Sequence, residues 1–450
     1  MINFVVDNLD DNTNCVSQAG LNKGGSNRFT SSPIANRMYL SQNEVPDFVD
    51  SNFFKKHSIH NLQDSKLKNY IIPLGVNNDP HNWAGGELSE HKDYPSLFHF
   101  LYEVYINDLK SKKAFLLVDS SLEGYSSDFI FKFFHHECKR LNISPKQIIY
   151  VTGNSIIEYC YQKWLIDNPQ EEEILVIGYS HFEFDTHCLT NHLPEGNTKY
   201  PPTFSEQVEY KSKNLDKIKL FSNLNKKPRA HRVYWYCLLY VNKMLEKGLV
   251  SMNKFEWHNQ SPAYAGRQIN KDKWQEISES LPSLIDGKGN EEKSTDYYVK
   301  RFNVEVALNS WISVVSEAQY EDNQETVFIS EKIFKSIAQS QPFLVLGNKN
   351  TIRELKKLGY KTFEDFFDEG YDTLNEADRF FRLLITLKKI DKIEDKLSWY
   401  KSMKEIIEHN KKLITKNSTE KLGEPSVKII QTVLGEDISK VPNKFKKYVK

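Results

Sequence analysis

The stretch Thr326-Val-Phe-Ile-Ser-Glu-Lys-Ile-Phe-Lys-Ser-Ile-Ala-Gln-Ser-Gln-Pro-Phe-Leu-Val-Leu-Gly347 joins an amphipathic helix to a buried strand. Ser330 is a favourable N-cap residue, because its hydroxyl can accept a hydrogen bond from a first-turn amide. Four apolar residues then fall on one helix face: Ile333, Phe334, Ile337 and Ala338. The apolar run from Phe343 to Leu346 follows at once, with Pro342 tolerated at its start. This order is typical of a parallel α/β sheet.

Lys332 is the unusual residue of this helix. A cation in the first turn faces the positive end of the helix dipole, which costs a few tenths to about 1 kcal/mol. A bound anion would reverse that cost, because helix N-termini bind phosphates through their unpaired amides. The alternative is an ordinary ion pair between Glu331 and Lys335 on a solvated face, worth at most about 0.5 kcal/mol. The spacing alone leaves both interpretations open.

The same alternation of strands and helices extends outward in both directions. In the first half, strands are predicted at 113–118, 147–152 and 173–178, with helices at 127–141 and 155–165. In the second half, strands are predicted at 217–222 and within 304–315, and helices at 229–247, at 351–358 and over almost all of 374–416. A polar, proline-containing stretch, 193–212, is the predicted linker. The fold class is therefore α/β, with two Rossmann-like domains facing across a cleft, at 1–205 and 206–450, and C-terminal helices closing the second.

Composition argues against several classes of protein, although a local basic groove remains compatible with zero net charge. The 450 residues include 60 basic and 60 acidic side chains, so the net charge does not favour a general nucleic-acid binder. The five cysteines are odd in number and scattered, which favours a reducing compartment. No apolar run approaches the roughly 18 residues of a membrane span, and no signal peptide is evident. We expect a cytoplasmic protein.

Three loops of the second half are expected to meet beyond the carboxyl ends of its strands, where ligands bind in open α/β sheets. One is the start of the helix after Ser330, with Glu331, Lys332 and Lys335. Another follows an apolar strand and has Glu317 at its start. The remaining loop carries a dense cationic group, which either binds a phosphate, because arginine can hold two oxygens at once, or is an exposed basic turn. Its polar residues are Asn223, Lys226, Lys227, Arg229, His231 and Arg232.

Two carboxylates of the first half follow a predicted strand. Asp119 and Glu123 could deprotonate an acceptor hydroxyl if partly buried in a cleft. Asp119 could equally bond to the loop backbone or cap the next helix, so Glu123 is the preferred base. The residues His181, Glu183, Asp185 and His187 recur at alternate positions that would share one side of a strand, a spacing unlike that of zinc sites. No metal site and no cofactor are predicted.

The segment Val327-Phe-Ile-Ser-Glu-Lys-Ile-Phe-Lys-Ser-Ile with Gln341-Pro-Phe-Leu-Val-Leu-Gly347 resembles the donor-binding motif of α1,3-fucosyltransferases and related GT-B glycosyltransferases. The chain departs from that motif at Ile333-Phe334-Lys335 and at Gln341. The upstream Ser222-Asn223 is similar to a loop of the same family. The C-terminal half, with its Lys357–Phe363 and Asp368–Asp372 blocks, also resembles uncharacterised glycosyltransferase-like proteins of phages and bacteria.

The resemblance implies roles for particular residues. Glu331 would hold the donor ribose, Lys332 the diphosphate, and Arg229 or Arg232 the other phosphate. It implies an inverting, metal-independent transfer of a sugar from a nucleotide-sugar donor to a hydroxyl acceptor such as a glycan. A second hypothesis is sugar transfer onto modified bases of DNA, which predicts a cationic face beside the cleft. The alternative from another class is a nucleotide- or sugar-binding protein without turnover, which would need the cations but no base.

Overall fold

Alternating strands and helices build two compact units in this chain. The computed structural model describes residues 2–6, 29–30, 32–35, 38, 53–58, 67, 69–76, 83–85, 96–125, 128–191, 200–254, 275–277, 279, 281, 283, 301–322, 325–415 and 418–435, and the structural statements below concern these residues. The first unit comprises Met1–Phe184, Asn323–Thr326 and Asn417–Lys450, and the second comprises Asp185–Asp322 and Val327–Lys416.

The strands and helices have the following bounds. The strands are β1 (Ile2–Val6), β2 (Phe29–Thr30), β3 (Phe54–Ser58), β4 (Tyr70–Val76), β5 (Ala114–Ser120), β6 (Ile148–Thr152), β7 (Leu175–Gly178), β8 (Lys219–Asn225), β9 (Gly248–Met252), β10 (Ser310–Ser316) and β11 (Phe343–Leu346). The α-helices are α1 (Glu103–Lys110), α2 (Asp128–Leu141), α3 (Ile157–Asp167), α4 (His181–Asn191), α5 (Phe204–Lys213), α6 (Ala230–Val241), α7 (Val304–Leu308), α8 (Glu331–Ala338), α9 (Thr351–Lys357), α10 (Glu376–Asp391), α11 (Lys396–Ser402), α12 (Lys404–Thr415) and α13 (Ser418–Leu434).

The first unit is built on a parallel sheet in the order β3-β1-β4-β5-β6-β7, and β2 pairs antiparallel with β4. Strands β4, β5 and β6 are buried along their whole length, as expected of strands covered on both faces. Helix α2 packs an apolar face on this sheet; its buried residues include Ile130, Phe131, Phe133 and Phe134.

The second unit is built on a four-stranded parallel sheet in the order β11-β10-β8-β9. Helix α8 begins after Ser330, whose hydroxyl accepts a hydrogen bond from the Lys332 amide, as the sequence predicts for an N-cap. The apolar face of this helix is buried; its residues are Ile333, Phe334, Ile337 and Ala338. The two parallel sheets with their helices confirm the predicted α/β class with two units.

Two lysines, the buried Lys211 and the half-buried Lys411, cap helix ends in the second unit. The Lys211 ammonium donates to the carbonyls of Ala307 and Leu308 at the end of α7, at 3.0 and 2.9 Å. The Lys411 ammonium donates to the Ala338 carbonyl at the end of α8, at 2.6 Å. Cations at helix C-termini are favourable because they face the negative end of the dipole. Burial lowers the pKa of Lys211 to about 7 and that of Lys411 to about 8.

The structure differs from the sequence interpretation in three places. About half of the predicted linker is helix α5, which opens with a capping box between Thr203 and Glu206; residues 193–199 of that linker lie outside the described residues. The alternating His181–His187 segment belongs to helix α4, so its side chains do not share one side of a strand. The first unit ends at residue 184 and, apart from residues 323–326, resumes at 417, where α13 packs against β1 and β7, whereas the sequence interpretation divides the chain once, at 205/206.

Of the helices in the described portion of the chain, none combines the length and the apolar character required to cross a membrane.

Candidate functional site

In the second sheet, the connections between successive strands reverse their direction across the sheet between β8 and β10. The connection from β8 through α6 reaches β9 on one side, whereas the connection from β10 through α8 reaches β11 on the other. Such a reversal leaves a crevice at the carboxyl ends of the two neighbouring strands, and ligands of open α/β sheets bind there. The loops that begin at Lys226 and Glu317, and the starts of α6 and α8, therefore lie at the place where the fold offers a ligand site.

The N-terminus of α6 carries cations and no acid in its first turn. Its N-cap residue is Arg229, whose side chain makes no capping hydrogen bond, and His231 and Arg232 follow in the first turn. The first amides of this twelve-residue helix therefore lack a side-chain cap. A helix start of this kind favours an anion through its free amides and its dipole.

The two arginines of this helix start differ in their environment. Arg232 is 4% exposed, and its guanidinium donates to the carbonyls of Ser316 at 3.2 Å and Glu317 at 2.8 Å. Burial, reinforced by the charge of Arg229, lowers the pKa of Arg232 to about 10. Arg229 is only half-buried and donates one hydrogen bond to the Ala318 carbonyl. Both terminal nitrogens of Arg232 are therefore committed to backbone carbonyls, and Arg229 retains donors for a ligand.

Glu317 connects the end of β10 to the start of α8. Its carboxylate is fully buried and accepts hydrogen bonds from the Ser330 hydroxyl and, at 3.2 Å, from the Ser330 amide. Burial raises the pKa of Glu317, against the opposing effects of Lys332 and of the Ser330 hydroxyl. Ser330 in turn accepts from the Lys332 amide. A carboxylate thus holds the N-cap residue of the helix that carries the predicted donor-binding residues.

Lys332 folds back over the first turn of α8. Its ammonium lies 2.8 Å from a carboxylate oxygen of Glu331 and 3.1 Å from the Ser330 hydroxyl, and its side chain is 27% exposed. Burial opposes ionisation of Glu331, but Lys332 and Lys335 outweigh it and lower the pKa of Glu331 to about 2. Burial lowers the pKa of Lys335 to about 8, against the attraction of Glu331. Glu331 is therefore held ionised between two lysines.

His231 is a neutral member of the same group. Its Nε2 lies 3.0 Å from the Glu317 carbonyl, so this nitrogen carries the proton and donates. Burial and the charge of Arg232 hold the pKa of His231 well below its usual value, and Arg229 and Lys332 act in the same direction. Histidine at this position contributes a hydrogen bond and a ring surface, and it does not act as a cation at neutral pH.

The charged residues predicted from the three loops share one neighbourhood. Lys332 acts on the pKa of both Glu317 and His231, and Glu331 acts on that of Arg232. The predicted donor-binding cations and carboxylates are thereby brought together; they are Arg229, Arg232, Glu317, Glu331, Lys332 and Lys335. Four cations face two carboxylates in this set, so the group carries an excess of positive charge that suits an anionic ligand.

Asn223 lies inside strand β8 rather than in the loop after it. Its side chain is 1% exposed and donates to the Val314 carbonyl at 2.6 Å and to the Ser316 hydroxyl at 3.0 Å. Asn225 donates to the Asn223 side-chain oxygen at 2.7 Å. The amide of Asn223 therefore ties β8 to β10 on the two sides of the switch point.

The two candidate bases lie in the first unit. Asp119 is inside β5 and 1% exposed, and one of its oxygens accepts from the Ser32 hydroxyl and the Ile34 amide, each at 2.7 Å. Its other oxygen accepts from the Ser121 amide at 3.0 Å. Glu123 follows the strand, and its carbonyl accepts from the Gly153 amide at 2.8 Å while its side chain is half-buried. Asp119 is thus engaged in fixing residues 32–34, whereas Glu123 is fixed through its backbone.

Two further residues of the site carry no local sequence signal. Arg379 of α10 and Tyr320 of the loop after β10 are both buried, and Arg379 donates to the Tyr320 carbonyl at 2.6 Å. They are 59 positions apart in the chain, so no motif or spacing could have paired them. Among the described residues, no three His, Cys, Asp or Glu side chains are grouped so that they could hold a metal ion.

Comparison with known proteins yields structural similarity alone. No protein-family profile matches the chain, and no curated protein sequence matches it. The solved structures similar to it include an α,α-trehalose-phosphate synthase (UDP-forming) from Burkholderia vietnamiensis, 11% identical, covering 70% of this chain and 66% of that chain, with a TM-score of 0.35. A trehalose-6-phosphate phosphatase N-terminal domain from Candida albicans is 9% identical, covers 96% of each chain and has a TM-score of 0.37. The chain spans slightly less than two thirds of the length of the first of these. The fold class rests on the described strands and helices themselves.

Proposed function

We propose that this chain is a glycosyltransferase that moves a sugar from a nucleotide-sugar donor to a hydroxyl acceptor. One observation carries the proposal: an excess of cations gathers at two helix starts on either side of the switch point of the second sheet. A nucleoside diphosphate is the ligand class that this arrangement fits. Cations and free amides would bind its phosphates, and carboxylates would accept hydrogen bonds from its hydroxyls.

Arg229 and Lys332 are the residues assigned to the diphosphate. Both have partly accessible side chains, and both belong to helix starts whose dipoles favour an anion. When the donor bond breaks, negative charge develops on the departing diphosphate, and preorganised cations stabilise it without a metal ion. Glu331, held ionised by its lysines, is assigned to the donor ribose, in agreement with the motif resemblance of this segment.

Glu123 is the proposed base. A carboxylate at the end of a buried strand can take the proton of an acceptor hydroxyl while that oxygen attacks the sugar carbon, which would give inversion. Asp119 serves less well because both of its oxygens already accept hydrogen bonds within the first unit. The acceptor is a glycan or a modified base of DNA. The reaction is expected in the cytoplasm.

The test is a thermal-shift screen of the purified chain against nucleoside diphosphates and their sugars, followed by transfer assays with any that bind. A ligand at one hundred times its Kd stabilises the folded state by about 2.7 kcal/mol, which such a screen detects. Lys332→Ala should abolish the shift, and Lys401→Ala, on the exposed face of α11, should retain it. Binding without hydrolysis or transfer would favour a nucleotide-binding protein without turnover. Absence of any shift across the panel would contradict the proposal.

A further inference from the structure

The loop 317–322, between β10 and the rest of the second unit, is held mainly by side chains. Its backbone pairs with β11 through the Glu317 amide, which donates to the Leu346 carbonyl at 2.8 Å. Beyond that point, its carbonyls accept from side chains of three regions, namely the start of α6, the loop after β11 and α10; the donors are Arg229, His231, Arg232, Asn348 and Arg379. The direction of the Glu317 carboxylate therefore depends on how these donors fix the loop.

Three buried side chains of this group form a stack. The Arg379 guanidinium lies 4.4 Å from the centre of the Tyr320 ring, a distance typical of a cation–π contact. The Tyr320 ring in turn lies 5.4 Å from the His231 ring, with an angle of 15° between the two ring planes. The three side chains are 1%, 0% and 1% exposed, so solvent does not weaken these contacts.

Arg379 also fixes both ends of the turn that carries Tyr320. Its guanidinium donates to the Tyr320 carbonyl and to an oxygen of Asp322, each at 2.6 Å, and to the Leu374 carbonyl at 2.9 Å. The Tyr320 hydroxyl donates to the Glu376 carbonyl at the start of α10. One arginine therefore ties the loop to α10 through its hydrogen bonds and to α6 through the ring stack, since His231 lies in the first turn of α6.

We propose that Arg379 and Tyr320 are positioning residues that act on the donor site through Glu317. The stack holds His231 against the Glu317 carbonyl, and the fixed loop directs the Glu317 carboxylate onto Ser330, the N-cap of α8. Loss of the stack would release the Ser330 cap and displace Lys332 and Glu331. The functional half of this inference rests on the proposed function, whereas the structural half does not.

The test compares Arg379→Met with Arg382→Met. Arg382 lies one turn further along α10 and makes an exposed ion pair with Asp368 at 2.8 Å. Arg382→Met is therefore the same substitution as Arg379→Met, at a position whose ion pair does not involve the loop 317–322. Hydrogen–deuterium exchange is followed by mass spectrometry on peptides 316–322 and 328–336, with 219–225 of β8 as an internal reference for global opening. Isothermal titration with uridine diphosphate and guanosine diphosphate measures donor-site affinity.

We expect Arg379→Met and Tyr320→Leu to speed exchange in peptides 316–322 and 328–336 at least ten-fold relative to the reference, and to weaken nucleotide binding about ten-fold. Tyr320→Phe, which retains the ring, should restore most of both properties. Equal exchange in Arg379→Met and Arg382→Met would overturn the inference, as would faster exchange with unchanged affinity. If the unaltered protein binds neither nucleotide, the proposed donor fails, and the exchange data still decide whether the stack positions Glu317.

Discussion

The Glu317 carboxylate accepts hydrogen bonds from both the amide and the hydroxyl of Ser330, thirteen positions later in the chain. This contact joins the end of a strand to the start of the helix that follows it. It also replaces part of the solvation that the buried carboxylate has lost, because hydrogen bonds to a charged acceptor are stronger than those to a neutral one.

Ser330→Ala is expected to destabilise the second unit by about 1 to 3 kcal/mol. The substitution removes the N-cap of α8 and one donor to a buried carboxylate. Urea unfolding of the variant measures the loss. Ser402→Ala, at the exposed end of α11, serves as the control and should stay within about 0.5 kcal/mol of the unaltered chain. Equal midpoints for the two variants would show that the Glu317–Ser330 contact contributes nothing.

Substitutions of Arg229 and Arg232 should separate binding from stability. Arg232→Met leaves the carbonyls of Ser316 and Glu317 without their buried donor, at a cost of about 1–3 kcal/mol for an unsatisfied group. Arg229→Met removes a half-buried side chain and should change stability little while weakening nucleotide binding. Urea unfolding and titration with uridine diphosphate or guanosine diphosphate distinguish them. The prediction is wrong if Arg229→Met binds nucleotide as the unaltered chain does.

Lys211 should make the second unit more stable as the pH rises above neutrality. Its pKa is about 7 in the folded chain, against an ordinary 10.5 when unfolded, so the unfolded state binds more protons between these values. The free energy of unfolding therefore rises with pH across this window, and the benefit is lost as the pH falls toward 7. Since one pKa unit corresponds to about 1.4 kcal/mol, the effect amounts to a few kcal/mol at most.

The measurement is urea unfolding at several pH values between 7 and 10 for the unaltered chain and for Lys211→Met. The free energy of unfolding of the methionine variant should rise less steeply with pH. Some rise should remain, because Lys335 and Lys411, with pKa values of about 8, still contribute in the same direction. Lys401→Met, which alters an exposed lysine, should reproduce the unaltered profile. Parallel curves for the unaltered chain and Lys211→Met would show that Lys211 titrates normally.

Asp119 and Glu123 should respond differently to amide substitution. Asp119→Asn places a donor group among three existing donors and should destabilise the first unit by about 1–3 kcal/mol. Glu123→Gln keeps the backbone contacts and should reduce sugar transfer by about 10²–10⁴, the contribution of a general base, with little change in stability. Thermal unfolding and single-turnover transfer assays separate these effects. Full transfer activity in Glu123→Gln would require a different base.

The local parts of this fold could be predicted from sequence, and the long-range parts could not. The N-cap at Ser330 and the strand Phe343–Leu346 depend on neighbouring residues, so their patterns were sufficient. The segment 181–191 alternates polar and apolar residues at its start, yet tertiary packing makes it a helix that buries His181 and Phe184. Short apolar runs such as β1 and β9 offer too few residues to distinguish a strand from a helix.

The candidate site shows the same division. Its cations can be proposed from the sequence because they cluster within two short segments at predicted helix starts. The choice between Arg229 and Arg232 needed the structure, since only burial shows which guanidinium is occupied by carbonyls. The sequence pattern ends the strand at residue 222 and so predicts a loop position for Asn223, whereas the pairing of β8 with β9 extends to Asn225.

The return of α13 to the first unit limits how this protein can be dissected. Its buried residues Val427, Ile429, Ile430 and Val433 come from the last described stretch of the chain, whereas the sheet they cover begins at Ile2. No single cut in the gene can therefore release either half intact. An isolated first half would require a circular permutation that places 418–435 ahead of residue 2, and a simple truncation before Ser418 should expose an apolar face and aggregate.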